Sequence, residues 1–430
     1  MKRLLAVLMA FTMVFALGVT AEAAPSDKVE ITWGDWMLSE DAYVDIYSAM
    51  VNNFMAQNDE VNVATYTNPY SSYLDQLLVA SAAGNGPDVA HIKAEWLPQF
   101  LALDCVQDIY AYVDPEVLAD FSEESLKGIT IDGKLIGLPW FNNAYAMFYN
   151  KDLLEKAGIT ELPKSMTELV EDAKKISALG TDENGNKLYG IGLANSSMEA
   201  SEGYNMFPIL WGYGGEFVDD DGNITLTSDA AIKSFSVIQD LFVNEITPAG
   251  SSFKDIRNLF GQGVIGFYWD GEAGLSPCAA AAPDADAFYA KVGAMPIPAE
   301  NNPCGYGYLS ERYMIVFKSC PEEKLPAVAD FIEYMSGADA IRVLYDANQG
   351  KMSSRASVMA DVYGNVESEI TRAFVEATST ARSLPSGNLA FLDADQAITD
   401  AVSLLAQGQD VNQVMADAQK TIQELYDEAG

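Results

Sequence analysis

The fold class is indicated by Val29-Glu30-Ile31-Thr32-Trp33, together with the helical pattern that follows it over residues 41–57. The first run alternates apolar and polar side chains, as a half-buried strand does, whereas Ile46, Met50 and Phe54 recur at helical spacing. Three further segments continue the alternation: a strand at 61–66, a helix at 73–83 and a short strand at 88–92. Strands that alternate with helices predict βαβ units on a mostly parallel sheet and therefore an α/β fold.

A second block with the same character begins near Leu138 and extends the fold. Residues 144–149 have the composition of a strand, and Ser165-Met166-Thr167-Glu168 forms a capping box before a helix. Residues 411–425 carry apolar side chains every three or four positions, which predicts a last amphipathic helix. A chain of 430 residues with this pattern is long enough for two or three folded units.

The charge balance excludes several classes of partner. The chain has 62 acidic and 25 basic side chains, a formal net charge of −37, and would repel a nucleic acid backbone or an anionic membrane. His91 is the only histidine, which excludes metal motifs built from two histidines. Residues 261–266 match the glycine pattern of dinucleotide-binding loops, but they follow a predicted helix and precede a strand, the reverse of the required order. The sequence therefore predicts no metal and no cofactor.

The N-terminal residues predict export from the cytoplasm. A basic start, an apolar run over 4–19 and small residues before the cleavage position form a secretory signal peptide over 1–23. No cysteine follows the apolar run, which argues against a lipid anchor, and an uncleaved anchor is the alternative. We therefore expect a periplasmic or secreted protein. The four cysteines allow three pairings; a Cys278–Cys304 disulfide and free buried thiols both remain open.

The tryptophans carry the clearest signal for a binding site. Five of the six lie beside turn residues or at predicted strand ends: Trp36, Trp96, Trp140, Trp211 and Trp269. An indole face can lie against the C–H face of a sugar ring while polar neighbours such as Asp35 and Glu95 bind its hydroxyl groups. The pattern indicates a sugar site, and burial in the core is the alternative for each ring. For His91, the prediction is a buried imidazole with satisfied hydrogen bonds.

Three motifs in a fixed order are more specific than any single residue. They are Asp132-Gly133-Lys134 with Gly137-Leu138-Pro139, Tyr149-Asn150-Lys151-Asp152-Leu153 with Lys156-Ala157-Gly158, and Pro163 with Glu168-Leu169. With these motifs the chain resembles the extracellular solute-binding proteins of ABC importers, in the sugar-binding family that includes the maltose-binding proteins. The resemblance covers nearly the whole chain after the predicted signal peptide.

The resemblance implies a two-lobe periplasmic binding protein fold of type II. Each lobe would be a mostly parallel sheet flanked by helices, with the ligand in the cleft between the lobes. The implied lobes are 24–140 with about 305–347, and 141–304 with about 348–430; the implied crossings lie near 138–143, 304–309 and 347–355. The resemblance further implies a monomer that passes a carbohydrate to a membrane permease and performs no catalysis.

The resemblance also places ligand contacts at eleven positions: Asp35, Trp36, Glu95, Trp140, Asn142, Trp211, Trp269, Asp270, Tyr306, Tyr308 and Arg355. Packing is the alternative for Tyr308 and Trp211, and an ion pair for Arg355. A neutral sugar is expected because Arg355 is the only cation in this set. A polyamine held by cation–π contacts is the second hypothesis, and a secreted glycoside hydrolase with paired carboxylates is the third. Trp269→Ala is expected to weaken binding by roughly 1–3 kcal/mol and to leave the fold intact.

Overall fold

The computed structural model describes residues 28–196, 203–219, 221–300 and 302–429. The predicted signal peptide and its cleavage site lie outside these residues. Within the described ranges, no helix combines the length and the apolar character that crossing a membrane requires.

The strands alternate with helices along most of the chain. The strands are β1 (Val29–Gly34), β2 (Val61–Tyr66), β3 (Val89–Lys93), β4 (Thr130–Ile131), β5 (Lys134–Leu135), β6 (Gly137–Ala144), β7 (Ala146–Asn150), β8 (Tyr189–Gly192), β9 (Ile265–Asp270), β10 (Val292–Met295), β11 (Tyr308–Val316), β12 (Met352–Ser353) and β13 (Arg382–Ser383).

The helices are α1 (Val44–Gln57), α2 (Tyr70–Ala82), α3 (Leu97–Ala102), α4 (Pro115–Ala119), α5 (Glu123–Lys127), α6 (Lys151–Lys156), α7 (Met166–Ser177), α8 (Phe207–Gly212), α9 (Asp229–Val243), α10 (Phe253–Gly261), α11 (Leu275–Ala281), α12 (Ala285–Lys291), α13 (Leu325–Ser336), α14 (Ala338–Asp346), α15 (Ala356–Tyr363), α16 (Glu369–Thr378), α17 (Phe391–Ala406) and α18 (Val411–Ala429). Short 3-10 turns occur at Met37–Ser39, Ala94–Trp96, Tyr110–Tyr112, Gly203–Met206, Glu272–Gly274 and Glu322–Lys324.

The first sheet has the strand order β12-β6-β11-β3-β1-β2, with β13 paired to β11. Strands β1, β2 and β3 are parallel, as the sequence pattern predicts. However, β11 runs antiparallel to β3 and β6, and β12 runs antiparallel to β6, so the sheet is mixed rather than mostly parallel. As a result, the carboxyl ends of β1, β2, β3 and β6 and the starting ends of β11 and β12 lie at one edge.

The second sheet has the order β10-β7-β9-β8 and is also mixed. Strands β8 and β9 are parallel, whereas β7 runs antiparallel to both β9 and β10. The carboxyl ends of β8, β9 and β10 therefore lie at the edge where β7 begins. Since β6 ends at Ala144 and β7 begins at Ala146, the edges of the two sheets meet at Tyr145.

Each sheet has its own group of large buried side chains. In the first, the rings of Trp33 and Trp140 lie 6.0 Å apart, and Trp33 lies 5.5 Å from Phe331 of α13. In the second, Phe207 of α8 lies 5.4 Å from Phe217. The terminal helices α17 and α18 pack against each other and against α9, whereas β12 and β13 pair within the first sheet. The lobe boundaries stay a prediction.

Several local predictions can be compared directly with these elements. Helix α7 begins where the capping pattern places it, and Oγ of Ser165 accepts the N–H of Glu168 at 3.1 Å. The glycine pattern at 261–266 lies between α10 and β9, the order that argues against a dinucleotide loop. The four cysteines are free, so the Cys278–Cys304 disulfide is not formed; Sγ of Cys304 instead donates to Glu376 at 2.8 Å.

Candidate functional site

The candidate site lies where the carboxyl ends of parallel strands collect, because loops at these ends hold the ligands of α/β proteins. Asp35 and Trp36 follow β1, Tyr70 begins the helix after β2, and Glu95 and Trp96 follow β3. These side chains come from separate parts of the sequence and reach the same edge of the first sheet. We call this edge, with the facing edge of the second sheet, the junction.

An aromatic wall, made of Trp36, Tyr70, Tyr73 and Trp96, lines the first sheet's side of the junction. Trp36 lies 5.9 Å from Tyr70, 5.3 Å from Tyr73 and 5.3 Å from Trp96, measured between ring centroids. Nζ of Lys93 donates to the hydroxyl of Tyr70 at 2.7 Å. Tyr70 is 42% exposed, whereas the other three rings are buried, so the wall has one accessible face.

A buried polar pair lies directly behind this wall. Nδ1 of His91 lies 2.9 Å from Oδ2 of Asp35, and the ring of Trp36 stacks on the imidazole at 4.0 Å. The other oxygen of Asp35 accepts the N–H of Met37 at 2.7 Å. Burial lowers the pKa of His91, so the imidazole is neutral near pH 7. Its Nε2 has no hydrogen-bond partner within the described chain, so the prediction of a satisfied imidazole is only half right.

Aromatic side chains also join the two sheets at the junction. The rings of Tyr145 and Tyr308 stack at 3.8 Å, and the N–H of Tyr145 donates to the carbonyl of Tyr308 at 3.0 Å. Tyr204 lies edge-on to Tyr308 at 5.2 Å. Burial raises the pKa of Tyr204, and the charge of Glu95, on the first sheet's side, raises it further. Tyr204 therefore packs against β11 of the first sheet.

Asp270 lies at the end of β9 and anchors the second sheet's side. Its oxygens accept from Nε of Arg257 at 2.7 Å, from Nη2 of Arg257 at 3.1 Å and from the N–H of Gly271 at 2.7 Å. The hydroxyl of Tyr268 also donates to this carboxylate. Tyr43, which follows β1, faces the pair: burial raises its pKa, and the charge of Arg257 opposes that shift. Asp270 and Arg257 thus interact with a side chain from the first sheet's side.

Two cations, Arg312 and Lys351, lie at the centre of the junction. Arg312 is 8% exposed and donates to Oγ of Ser310 at 2.6 Å, and its Nε has no partner among the residues the structure describes. Lys351 is 6% exposed, and burial, reinforced by the charge of Arg312, lowers its pKa to about 7. Glu272 shows the opposite effect: burial raises its pKa to about 7, and its Oε1 accepts from Thr371 at 2.5 Å.

The structure gives two of the predicted tryptophans a packing role instead. Trp140 is 1% exposed, and its Nε1 donates to the carbonyl of Met335 at 2.7 Å. Trp269 is fully buried, and its Nε1 donates to Oδ1 of Asn205 at 2.6 Å. Both rings support the junction from within the sheets, so we leave them out of the proposed contact set.

Four other predicted residues lie apart from the aromatic wall. Trp211 and Tyr306 share the guanidinium of Arg382, which lies 4.7 Å and 5.5 Å from their ring centroids. Arg355 forms the ion pair that was its alternative, with Nε 2.8 Å from Asp120. Asn142 is half-buried within β6, paired with β11 and β12. The predicted residues that the junction brings together are Asp35, Trp36, Glu95, Asp270 and Tyr308.

Sequence reasoning missed Tyr70, Tyr204, Arg257, Arg312 and Lys351. Only Arg312 carried a local signal, since it directly precedes the apolar run from Tyr313 to Val316 in β11. The others lie on segments whose neighbours in space depend on strand pairing. A motif search that pairs tryptophans with adjacent carboxylates therefore cannot find them.

Two mixed sheets that meet edge to edge around such a junction define the class of two-lobed solute-binding proteins. The chain belongs to the family of bacterial extracellular solute-binding proteins, whose family model matches residues 40–341. The resemblance seen in the three motifs is thereby confirmed. The family is one of binding proteins.

Individual relatives agree with this assignment. The chain is 30% identical over 249 residues to a binding protein of Brucella abortus, covering 57% of this chain and 58% of that protein. It is 27% identical over 372 residues to the maltodextrin-binding protein of Bacillus subtilis, covering 81% of this chain and 79% of that one. The chain thus spans less than two thirds of the length of the Brucella relative.

A solved structure shows the same two-lobe fold. The GacH receptor of Streptomyces glaucescens, solved unliganded and with acarbose, aligns with a TM-score of 0.78 at 21% identity, over 94% of this chain and all of that one. At this level of identity the likeness concerns the fold alone.

Proposed function

We propose that this protein is exported, closes its two lobes around a carbohydrate and delivers that carbohydrate to the membrane permease of an ABC importer. One observation carries the proposal: an aromatic wall and unpartnered buried polar atoms meet at the junction of the two sheets. A sugar needs both features, since its C–H faces pack on rings and its hydroxyl groups require hydrogen-bond partners. The acarbose complex of the GacH receptor and the maltodextrin-binding relative support the same ligand class.

The charges at the junction favour a sugar over a polyamine. Arg257, Arg312, Lys351 and Lys93 all lie at or beside it, and their charges would oppose a polycation. The carboxylates of Asp35 and Asp270 are already held by His91 and Arg257. Nζ of Lys93 also lies 5.0 Å from the ring centroid of Tyr70 and 5.4 Å from that of Trp96, so a cation of the protein already occupies the cation–π position that a polyamine would need.

The proposed mechanism is a shift between open and closed lobes. Tyr204, which precedes α8, packs edge-on against Tyr308 of β11 at 5.2 Å, so side chains of the two sides contact each other at the junction. A ligand that touches both sides binds the closed form better and increases its population by that difference in affinity. In this proposal the protein acts as a monomer in the periplasm or outside the cell, and the permease recognises the closed form.

We further propose that the ligand leaves unchanged. Asp35 is hydrogen-bonded to His91 and to the N–H of Met37, and Asp270 is paired with Arg257 and bonded to the N–H of Gly271, so neither carboxyl group is free to protonate a glycosidic oxygen or to activate a water. Incubation of the pure protein with oligosaccharides should release no new reducing ends. Release that a carboxylate-to-amide change abolishes would establish the hydrolase hypothesis instead.

A thermal-shift screen of mono- and oligosaccharides tests the binding proposal. A saccharide at 100 times its Kd adds about 2.7 kcal/mol to the stability of the folded state. The matched variants are Tyr70→Ala, in the aromatic wall, and Tyr110→Ala, an exposed tyrosine outside it; the two residues are 42% and 63% exposed. We expect Tyr70→Ala to weaken binding about tenfold, the loss of one ring contact, and Tyr110→Ala to bind as the wild type does. No shift with any saccharide, together with a shift by a polyamine, would overturn the proposal.

A further inference from the structure

We propose that Arg312 and Lys351 form a subsite for the carboxylate of an acidic sugar, so that the ligand is a saccharide containing a uronate. This inference rests on the proposed function and specifies its substrate class. It reverses the expectation of a neutral sugar, which was based on finding a single arginine among the predicted contacts.

The first support is the unfilled donor capacity of Arg312. This side chain lies in β11 opposite Lys93 of β3, a like-charged neighbour across the two strands. Nη1 donates to Oγ of Ser310 at 2.6 Å and to the carbonyl of Glu311 at 3.3 Å, both of them neutral acceptors. Its Nε is buried with no acceptor in the described structure, and no carboxylate there forms an ion pair with the guanidinium. A buried guanidinium charge is stable only when an oppositely charged group pairs with it.

The second support is Lys351, a neighbouring cation in the same condition. It directly precedes β12, whose Met352 pairs with Asn142 of β6, and β6 pairs on its other side with β11. Its ammonium lies 5.6 Å from the ring centroid of Phe141 and has no hydrogen bond or ion pair with any described residue. The ring of Phe141 also lies 5.8 Å from the imidazole of His91, so Lys351 and His91 pack on the same aromatic ring, and Arg312 lies two residues before Met314, which pairs with His91. The repulsion between them would be relieved by one anion bound to both.

Two of the three carboxylates around these cations already have other partners. Asp270 is held by Arg257, and Asp35 by His91 and the N–H of Met37. Glu272 accepts from Thr371 through Oε1 alone, and because burial raises its pKa to about 7, it carries only part of a negative charge at pH 7. In a chain with 62 acidic side chains and a net charge of −37, acidic partners are abundant elsewhere. Two buried cations without one therefore indicate an anion from outside the chain.

The groups near the two cations suit the rest of a sugar ring. Nε2 of His91, the hydroxyl of Tyr47 and Oδ1 of Asn143 are buried and have no partner among the described residues. The ring of Tyr47 lies 5.9 Å from that of Trp140, which in turn lies 4.8 Å from the imidazole of His91. When the carboxylate binds the two cations, the hydroxyl groups of the same sugar would be available to hydrogen-bond with these three atoms.

The decisive comparison needs no variant. Calorimetric titration uses di- and trisaccharides of galacturonate and of glucuronate, each beside its methyl ester, which removes the charge and keeps the sugar. We expect the acid to bind at least tenfold more tightly than its ester. Equal affinity for acid and ester overturns this inference and leaves the proposed function standing, whereas no binding of any saccharide overturns both. A sugar phosphate that binds more tightly than the uronates overturns the carboxylate assignment.

Variants then locate the subsite. Arg312→Gln and Lys351→Met should each reduce the preference for acid over ester to less than threefold. Arg342→Gln, which removes an exposed arginine paired with Asp361, is the control and should keep the full preference. If one junction variant fails to fold, the other still decides. A folded Arg312→Gln or Lys351→Met protein with the wild-type preference would overturn the assignment.

Discussion

Burial shifts the pKa values of individual side chains at the junction. The ammonium of Lys351 is charged below about pH 7 and neutral above it, because burial and the charge of Arg312 lower its pKa. Asp270 and Glu272 face the same ammonium and oppose this shift, and Arg257 adds to it. The pKa of Glu272 is raised to about 7 by burial, so this carboxyl becomes negative over the same range of pH. Raising the pH through 7 thus removes positive charge and adds negative charge at one place.

We therefore predict that the affinity for a uronate saccharide falls about tenfold between pH 6 and pH 8.5, the loss of one charge-assisted hydrogen bond. The uronate stays ionised throughout this range because carboxyl groups titrate near pH 4. Calorimetric titration at three pH values measures the effect, with the methyl ester as the pH-independent control. Lys351→Met should flatten the profile. An affinity for the uronate that does not vary with pH would contradict the assigned role of Lys351.

The sequence pattern predicts the individual strands and helices better than it predicts the residues of the site. The predicted strands at 29–33 and 61–66 are β1 and β2, and the helix over 41–57 is α1, beginning three residues later. These elements depend on periodicity within one segment. The insertion of β11 between β3 and β6 depends on residues more than 150 positions apart, and no local pattern records it.

Local sequence also fails to distinguish a tryptophan of the site from one in the core. Trp36 and Trp269 look alike in sequence, since each adjoins an aspartate at the end of a strand. Trp36 follows β1 and lies in the aromatic wall, whereas Trp269 lies within β9 and is fully buried, with its Nε1 held by Asn205 of the 3-10 turn Gly203–Met206. The segment that covers each ring decides its role, and for Trp269 that segment lies more than 60 residues away in the sequence.

This placement changes the expected result of Trp269→Ala. Since the ring is fully buried and hydrogen-bonded, we predict a loss of about 3–5 kcal/mol in the free energy of unfolding, rather than a binding defect in an intact fold. Urea denaturation of the variant measures this loss. Tyr70→Ala is the comparison, with an expected cost below about 1 kcal/mol for a partly exposed ring. A Trp269→Ala protein of wild-type stability and weakened binding would return this residue to the ligand site.

The whole molecule is strongly acidic, and the two buried cations of the proposed subsite allow it to bind an acidic sugar nevertheless. The net charge of −37 repels such a ligand at a distance, but salt screens exposed charges beyond about 8–10 Å. Arg312 and Lys351 are buried, so they act on a ligand only once it lies between the lobes. Selection for charge would therefore occur in the closed form, which is also the form that we propose the permease recognises.

Small-angle X-ray scattering of the mature chain, with and without a saturating saccharide, tests directly whether the two lobes close around the ligand. We predict that the radius of gyration falls when the saccharide is added, because a ligand that contacts both sides of the junction shifts the population toward the closed form. Scattering profiles that superimpose while calorimetry shows the saccharide bound would contradict capture by closure.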